Sequence, residues 1–532
     1  MSRDAHGSAF SDGRWAIPAR FNFARDVVSA LAVDRDRQAL QFVSADGDVT
    51  RRLTFREIEA SAARWTNVLR TRGIQPGDRV LVLVGKTPDW PAIMLGTLGS
   101  GAVTIPCSEM LRAKDLDFRI EHAGAHLLIA DPGCRDEIDR MSADVDILYL
   151  DEANRTLANE RDRTTVHDSA AGDPAFILYT SGTTKHPKGV VHTHGWTFAK
   201  RMQAEYWLDA QSDDLVWCTA GTGWAKSVWN VLLGPWSRGS EVVLHEGGFD
   251  PAERFALLER LGVNVLCQAP TEYRLMAKLD GLESHDLSAL RHAVSAGEPL
   301  NPEVIQCFQD AFDLTVFDGY GQTENTLLVA NRPGVAIEPG SMGHPTPGHD
   351  VAIVDDDGLE AARGDEGDVA VRGNPPTMFV GYHDDVEATR ATRRGEWYIT
   401  GDRARRDDAG RFWFSGRADD VILSAAYRIG PFEVESALLE HPAVAESAVV
   451  GKPDADRGYI VKAFVVLRSS VEPSDALAVE LQDHVKRVTA PYKYPREIEF
   501  VPSLPKTTSG KIRRVELRER EQRAAGDQAS QH

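Results

Sequence analysis

Short runs of Val, Ile and Leu recur along the first half of the chain, separated by stretches with helical spacing. The runs are RVLVLV (79–84), LLIAD (127–131), AFILYT (175–180), EVVLH (241–245) and VNVLCQAP (263–270). Continuous apolar runs of this length are typical of strands buried on both faces, as in parallel sheets. Strands that alternate with helices predict an α/β architecture with helices on both faces of the sheets.

One intervening stretch, residues 55–72, has the clearest helical pattern. Its buried-type side chains recur at helical spacing: Ile58, Ala62, Trp65 and Leu69. Gly73 follows and can end the helix. A weakly polar run at 91–106 contains Gly, Ser, Thr and Pro, and it is too short to span a bilayer. This run predicts a buried helix that leads into a strand.

The composition and the predicted order of elements change near residue 415. Residues 404–420, ARRDDAGRFWFSGRADD, are dense in charge, and a compact pattern of helix, two strands and helix follows from Pro431. We therefore predict a large N-terminal domain of packed mixed or parallel sheets (1–415), a hinge (416–420) and a small mobile C-terminal α+β domain (421–532). The tail after Arg514 is expected to be a frayed helix and then disordered chain.

Composition narrows the class of protein. A chain of 532 residues with 42% apolar and 26% charged residues predicts a globular protein of two or more domains. The net charge of -20 argues against a nucleic-acid surface. Five scattered cysteines without Cys-x-x-Cys spacing favour neither disulfides nor a metal site, and they fit a reducing, cytoplasmic location. The first residues resemble neither a secretory signal nor a transit peptide.

The segment TSGTTKHPKG at 180–189 has the composition of a phosphate-binding loop. Backbone N–H groups and hydroxyls can donate to phosphate oxygens, and Lys188 adds a positive charge. The donors lie at Thr180, Ser181, Gly182, Thr183 and Thr184. A solvated Ser/Thr loop is the alternative. The kinase- or ATPase-type phosphate loop is excluded, because Pro187 stands where its second glycine is required.

A second candidate segment, DGYGQTEN at 318–325, combines a glycine-rich turn with a carboxylate. Glu324 could hold Mg²⁺ while Thr323 donates to a phosphate oxygen, although a surface Glu at a turn is the alternative. Tyr320 offers a ring to a purine and Asp318 an acceptor for its exocyclic amine, although a lone tyrosine is more often part of a core. Asp402 in YITGD could accept from ribose hydroxyls, or could be an ordinary turn residue.

Charged residues at and beyond the predicted junction form a third group. Arg417 and Asp419 lie where one backbone rotation would swing the whole small domain. Lys511, in TTSGKIRR, could be part of a basic tail. On a mobile domain, it could instead enter a site made by the large domain and leave again.

These motifs together resemble the ATP-dependent acyl-adenylate-forming superfamily. The phosphate loop, GYGQTE, YITGD, GRADD and SGKIRR occur in the order and rough spacing of that superfamily, over about residues 50–520. Four segments look most like the medium-chain acyl-CoA synthetases: residues 222–236, 339–358, 427–451 and 489–507. The resemblance implies an enzyme, an acid–thiol ligase that uses ATP and CoA as co-substrates and Mg²⁺ as cofactor.

The resemblance also implies roles for particular residues. Lys188 and the loop hydroxyls would hold the β- and γ-phosphates, Thr323 would contact the α-phosphate, and Lys511 would bridge the acyl carboxylate and α-phosphate. The remaining nucleotide-binding positions would be Gly297, Glu298, Pro299, Asp318, Gly319, Tyr320, Gly321, Gln322, Asp402, Arg417 and Arg428. Asp419 would be the hinge, and Ala425, Ala426 and Tyr427 would line the pantetheine tunnel of CoA.

The expected acyl substrate is a medium-chain, branched or aromatic carboxylic acid. We place Trp224, Trp229 and Tyr273 in the acyl pocket, where three large rings favour a short or medium acyl group. Two alternatives stay open: transfer to a carrier-protein phosphopantetheine instead of CoA, and a non-catalytic acyl-nucleotide binder. We expect neither a nucleic-acid partner nor a membrane span, and a homo-oligomeric state stays open.

Two positions depart from the superfamily pattern. Lys185 and Ala426 replace glycines, in the phosphate loop and before the aromatic residue of the tunnel. If position 185 requires a positive φ, a non-glycine residue costs roughly 1–2 kcal/mol there. The change at Ala426 therefore concerns the thioester-forming step, whereas the change at Lys185 concerns the grip on ATP.

Overall fold

The fold is described from a computed structural model. The structure describes residues 8–180, 187–417, 420–424, 427–454, 458–469, 471–489, 491–506 and 511–529. Within these ranges, no helix is long and apolar enough to cross a membrane.

Two large sheets dominate the N-terminal part. The first has seven strands, in spatial order Gly381–Tyr382, Lys188–Thr193, Pro174–Thr180, Val103–Cys107, Arg79–Leu83, Leu127–Ala130 and Asp146–Tyr149. The second has nine, in order His344–Pro345, Val329–Ala330, Val316–Tyr320, His292–Ala296, Val265–Gln268, Leu215–Cys218, Glu241–His245, Gln38–Val43 and Val49–Thr54. Their central strands pair in parallel. Antiparallel strands lie at both edges of the second sheet but at only one edge of the first, since Asp146–Tyr149 pairs in parallel with Leu127–Ala130.

Smaller antiparallel sheets complete the architecture. One contains Val351–Val354, Glu366–Arg372, Trp397–Arg406, Arg393–Arg394 and Phe412–Arg417. Another contains Tyr427–Ile429, Ile422–Ser424, Gly458–Leu467 and Val444–Asp454, to which Glu497–Phe500 adds in parallel. A hairpin pairs Phe10–Ser11 with Arg14–Trp15. The sheet membership thus changes between Arg417 and Ile422, within or beside the predicted hinge.

Helices cover the sheets. The α-helices are Ser29–Leu31, Phe55–Thr71, Trp90–Ser100, Ala113–Ala123, Arg135–Ile138, Leu150–Leu157, His194–Tyr206, Ala225–Ser227, Gly234–Arg238, Pro251–Leu261, Pro270–Met276, Pro302–Phe312, Val386–Ala391, Pro431–Leu439, Asp475–Val488 and Arg514–Ala529. Ala24–Val28 and Val228–Leu233 are π-helical, and Pro132–Cys134, Leu282–Ser284 and Pro491–Lys493 are 3₁₀-helical. The predicted α/β fold with a smaller C-terminal domain is confirmed.

Local sequence explains the helix predicted at 55–72. Thr54 caps it by accepting from the backbone N–H of Glu57, whose side chain returns a bond to Thr54, and the helix ends at Thr71. Its four patterned residues are all buried. The run at 91–106 also forms the expected buried helix, Trp90–Ser100, followed by the strand Val103–Cys107.

The chain end differs from the expectation of a frayed tail. Arg514–Ala529 forms one helix, whose Glu521 carboxylate lies 2.9 Å from the buried Lys462 ammonium on the C-terminal sheet. Glu497 and Glu499 lie 2.8 and 2.9 Å from the same ammonium. Leu517 packs beside Phe464 in a small apolar cluster. The many charged residues of this segment indicated a frayed tail, and no sequence pattern indicated the packing that stabilises the helix.

Candidate functional site

The candidate site lies where parallel strands of the nine-stranded sheet end. The strands Val265–Gln268 and His292–Ala296 finish side by side. Lys226 joins their ends, since its Nζ donates to the carbonyls of Gln268 (2.9 Å) and Ala296 (3.0 Å). The carboxyl ends of parallel strands are a common place for ligand sites, because loops that leave there converge.

Lys511 of the C-terminal domain reaches this strand end. Gly297 has φ 110°, and a β-carbon placed on it would lie 3.9 Å from both Cε and Nζ of Lys511. Lys511 is exposed by surface area, although protein atoms surround it closely enough to reduce its hydration. Loss of hydration lowers the pKa of Lys511, Lys226 adds to this effect, and Glu298 opposes it. The C-terminal lysine predicted from sequence therefore lies beside the predicted nucleotide-binding segment.

Contacts between the domains accompany this placement. Asn301 Nδ2 donates to Ser436 Oγ at 3.0 Å, which joins the N-terminal part to the helix Pro431–Leu439. Lys278 Nζ donates to the carbonyl of Ala445. Burial lowers the pKa of Lys278 to about 8, while Glu446 opposes that change. Polar contacts among the described residues thus join the two parts of the chain in the arrangement that places Lys511 at the strand end.

Glu298 is turned toward a helix. Its Oε2 accepts from Arg274 Nη2 (2.9 Å) and Thr271 Oγ1 (3.0 Å) on the helix Pro270–Met276. Burial would raise the pKa of Glu298, but Arg274, Lys511 and Thr271 together outweigh it, and the net pKa is lowered. Its carboxylate is therefore an anchored anion near Lys511.

The turn after the strand Val316–Tyr320 carries most of the predicted nucleotide-binding residues. Tyr320 Oη donates to Asp402 Oδ2 at 2.7 Å, and Gln322 Nε2 donates to the same oxygen at 2.6 Å. Gly321 is packed so tightly that a β-carbon would lie 1.4 Å from the Thr326 carbonyl oxygen. The turn is therefore tied to the strand that bears Asp402, as the motif order predicts for one site.

Asp318 is buried below this turn. Its Oδ1 accepts from the Gly319 backbone N–H at 3.0 Å. Burial raises the pKa of Asp318 to about 7, although this hydrogen bond and another from the Leu300 backbone oppose the rise. Asp318 is thus a carboxyl group that titrates near neutral pH in the described structure.

Glu324 belongs to a second hydrogen-bonded set. Tyr382 Oη donates to Glu324 Oε1 at 2.8 Å, and Lys188 Nζ lies 4.6 Å from the centroid of the Tyr382 ring. Burial raises the pKa of Glu324, and the bond from Tyr382 opposes the rise. The structure therefore brings Lys188 and Glu324 to the two sides of one tyrosine.

The candidate phosphate loop is described only at its ends. Thr180 and Lys188 are paired across antiparallel strands, so the loop leaves and returns at one place. Ser181, Gly182, Thr183, Thr184 and Lys185 lie outside the described residues.

Several hinge and tunnel predictions also fall outside the description. Asp419, Ala425 and Ala426 are not among the described residues, while Tyr427 and Arg428 lie in the strand Tyr427–Ile429. Arg417 Nη1 lies 3.9 Å from Asp402 Oδ1, so these two predicted nucleotide-binding residues do approach each other.

The three predicted acyl-pocket rings have different surroundings. Trp224 is half-buried just before the short helix Ala225–Ser227, and Trp229 is half-buried in the π-helix Val228–Leu233. Tyr273 is fully buried, with its ring 5.3 Å from that of Phe308. Its hydroxyl lies 3.3 Å from the Val294 carbonyl. The acyl-contacting role of all three stays a prediction.

Several residues of the site were not singled out from sequence. Lys226, Tyr382 and Arg274 position strand ends or carboxylates as described above. Lys226 lies inside the segment 222–236 that carried the resemblance, so a search for cations in that segment would have found it. The other two lie in segments without a motif, and only the fold brings them to the site.

Comparisons with known proteins agree over nearly the whole chain. Residues 28–383 match the family described as AMP-binding enzyme, and residues 433–511 match the AMP-binding enzyme C-terminal domain. An uncharacterized acyl-CoA ligase, YtcI, of Bacillus subtilis (strain 168) is 50% identical over 461 residues, which cover 85% of this chain and 87% of that protein. Human mitochondrial acyl-coenzyme A synthetase ACSM5 is 40% identical and covers 96% of this chain and 93% of its own.

Two solved structures are also similar over most of the chain. The anthranilate CoA ligase AuaEII in complex with anthranoyl-AMP superposes with a TM-score of 0.88 at 31% identity, covering 96% of this chain and 99% of its own. A benzoate CoA ligase from Burkholderia xenovorans LB400 superposes with a TM-score of 0.84 at 31% identity, covering 94% and 100%. Both likenesses extend across the N-terminal and C-terminal parts.

Proposed function

The chain belongs to the AMP-binding enzyme family, and from this premise we propose that it activates a medium-chain, branched or aromatic carboxylic acid. The predicted superfamily and the predicted enzyme class, an AMP-forming acid–thiol ligase, are confirmed by its acyl-CoA ligase relatives. ATP and CoA are the co-substrates of this class. The alternative of a non-catalytic binder is therefore disfavoured.

The observation that best supports the proposed mechanism is the position of Lys511. A residue of the C-terminal domain lies beside Gly297, at a strand end that adjoins the strand of the 318–324 turn. A carboxylate and a triphosphate repel each other, so a cation aimed between them lowers the barrier to their reaction. Lys511 is suited to that task.

The first half-reaction follows from this arrangement. A carboxylate oxygen of the acid attacks the α-phosphorus of ATP, the bond from that phosphorus to the bridging oxygen breaks, and pyrophosphate leaves with the electron pair. The product is an acyl adenylate. In the proposal, Lys511 balances charge on the carboxylate and α-phosphate, Thr323 donates to the α-phosphate, and Asp402 accepts from the ribose hydroxyls.

The donor set at Glu324 fits Mg²⁺. This ion prefers oxygen ligands and is usually held by one or two carboxylates together with substrate phosphates and water. Glu324 offers one such carboxylate, oriented by Tyr382, beside the strand that carries Lys188. The bound ion would neutralise phosphate charge.

The second half-reaction transfers the acyl group to a thiol. The CoA thiolate attacks the adenylate carbonyl, a carbon–sulfur bond forms, and the bond to the phosphate oxygen breaks as AMP leaves. Lys511 must withdraw if the thiol uses the space that it occupies. The proposed hinge at Asp419 would permit this by rotating the small domain.

The substrate class rests on the aromatic wall and on the relatives. Trp224 and Trp229 are half-buried in the segment 222–236, which suits contact with an apolar group of limited length. The similar solved proteins include ligases named for anthranilate and benzoate. Large planar walls accept flat or branched acyl groups better than a long flexible chain.

An exchange assay tests the proposal. The enzyme is supplied with Mg²⁺, ATP, labelled pyrophosphate and a panel of straight acids of graded length, branched acids, benzoate and anthranilate. We expect exchange with medium, branched or aromatic acids, and formation of the matching thioester when CoA is added. Exchange confined to acetate or to long-chain acids would contradict the substrate class. Transfer to a phosphopantetheinylated carrier protein but not to CoA would favour the other acceptor.

A further inference from the structure

Lys200 is a buried lysine whose surroundings link two parts of the proposed site. It lies on the helix His194–Tyr206 and is 1% exposed. Its Nζ is 4.1 Å from the ring centroid of Trp196 and 4.3 Å from that of Trp229. It donates to the hydroxyl of Thr326. The amine is thus enclosed by two aromatic faces and directed at one polar acceptor.

The acceptor belongs to the turn that carries Glu324. Thr326 has φ 71°, a left-handed conformation that is unfavourable for a β-branched residue. Its N–H donates to the Gln322 carbonyl at 2.8 Å, which closes the turn around Glu324. A hydrogen bond from Lys200 to the side chain of Thr326 helps to hold this strained position. The geometry of the turn therefore depends on a residue of another helix.

His192 holds the other end of the same turn. Its Nε2 lies 2.8 Å from the Thr323 carbonyl oxygen, and its ring stacks on Trp196 with centroids 4.0 Å apart. His192 and Lys200 thus contact the residues immediately before and two positions after Glu324.

A purely structural role does not explain a lysine at this position. Burial lowers the pKa of Lys200 well below its ordinary value, and within the described part of the chain no carboxylate offsets that burial. Burying an amine costs free energy that an apolar side chain of similar length would avoid. Contact with two aromatic faces recovers only part of that cost. The nitrogen is therefore expected to serve a purpose other than stability.

A second neighbour of Lys200, Trp229, indicates what this purpose is. Trp229 belongs to the wall assigned to the acyl group, whereas Thr326 belongs to the turn assigned to the metal and α-phosphate. We propose that Lys200 is a positioning residue that couples the acyl pocket to the nucleotide turn, through Trp229 on one side and Thr326 on the other. This inference rests on the proposed function, because that function assigns Trp229 and Glu324 their ligands.

Coupling of this kind has a measurable form. An acid that packs against Trp229 restrains Lys200, which restrains Thr326 and the Glu324 turn. Bound acid should therefore tighten the binding of the magnesium nucleotide, and the nucleotide should tighten acid binding by the same factor. Loss of the amine should remove this factor while both ligands still bind.

The test compares Lys200→Met with a matched control, Arg201→Met. Arg201 is the adjacent buried cation, but its guanidinium lies 4.3 Å from the Phe198 ring and 5.9 Å from the Phe21 ring. Calorimetry measures the Kd of magnesium α,β-methylene-ATP, which cannot release pyrophosphate, with and without a saturating acid that the wild type activates. We expect acid to tighten nucleotide binding several-fold in the wild type and in Arg201→Met, and less than twofold in Lys200→Met.

Thermal unfolding separates coupling from general damage. Replacing a buried lysine by methionine is expected to leave Tm unchanged or raise it, since the cost of burial disappears. Thr326→Val, which removes the acceptor hydroxyl, should lose the coupling as Lys200→Met does, and Thr326→Ser should retain it. The Thr326 pair carries the test if Lys200→Met does not fold.

The outcomes decide the inference. Unchanged coupling in Lys200→Met, or equal loss in Arg201→Met, overturns it, as does a wild type in which acid does not tighten nucleotide binding. If the wild type shows no pyrophosphate exchange with any acid of the panel, both the proposed function and this inference are refuted. An active wild type with unaltered coupling in Lys200→Met refutes only the role of Lys200.

Discussion

The two sides of the candidate site are held in different ways. On the nucleotide side, Asp402 accepts from Tyr320 and Gln322 at 2.7 and 2.6 Å, and Glu324 accepts from Tyr382 at 2.8 Å. On the opposite side, Lys511 comes from another domain, which is joined to the first by contacts such as Asn301 to Ser436. The first set lies within one domain, whereas the second depends on contacts between two domains, and we propose that it separates between the half-reactions. In this proposal, stable positioning and removable charge reside in different domains.

The largest effect is expected for Lys511→Ala. Removing one charge-stabilising donor should slow adenylation by about 100-fold or more. Thioester formation from a preformed acyl adenylate should continue, because Lys511 is not needed there. Single-turnover assays of each half-reaction measure this, with Lys486→Ala as control, since Lys486 lies on the helix Asp475–Val488 and pairs with Asp483. Equal loss in both half-reactions would remove the distinction between the two sides.

Glu324→Gln tests the nucleotide side. The amide keeps the shape and can still meet Tyr382, but it loses the charge that suits Mg²⁺. We expect adenylation to fall about 10- to 100-fold, with a higher requirement for Mg²⁺. A magnesium titration of the exchange rate measures this, and Glu338→Gln, an exposed carboxylate paired with Arg411, serves as control. An unchanged magnesium requirement would argue against Glu324 as a ligand.

Asp318→Asn tests the nucleotide side through stability. Native Asp318 titrates at about 7 instead of 3.8, so between these values the native state binds more protons than the unfolded chain. The contribution of Asp318 to stability therefore falls as pH rises through that window. As the pH rises from 4 to 8, the free energy of unfolding of Asp318→Asn should increase by at least about 1 kcal/mol relative to that of the wild type. Denaturant unfolding at pH 4 and pH 8 measures this difference. If the free energy of unfolding changes equally in the two proteins, the prediction is wrong.

Ser436→Ala should have the smallest effect. It removes the acceptor for Asn301 across the domain contact, which is worth about 1 kcal/mol. Adenylation should slow up to about fivefold, while thioester formation should not slow. The same two half-reaction assays apply, with the exposed Ser469→Ala as control. Slowing of both steps would mean that Ser436 supports the small domain itself instead of its docking.

Much of the fold was predictable from local sequence. The five apolar runs all form strands, because runs of buried aliphatic residues have few other stable arrangements. The motifs also pointed to Tyr320, Asp402 and Lys511, although Asp402 lies within the strand Trp397–Arg406 instead of at a turn. Glu298 differs, because its bond to Arg274 depends on how the helix Pro270–Met276 packs. The contact of Lys200 with Trp229 and Thr326 likewise joins residues far apart in sequence, and no local pattern encodes it.

The helix at the end of the chain has a practical consequence. Glu521 is one of three carboxylates around the Lys462 ammonium, and Leu517 covers Phe464 and Leu504. Proteolytic trimming at the arginines of this helix would remove Leu517 and expose the apolar side chains of Phe464 and Leu504 to water. Shortened preparations should therefore precipitate, and an affinity tag is better placed at the opposite terminus.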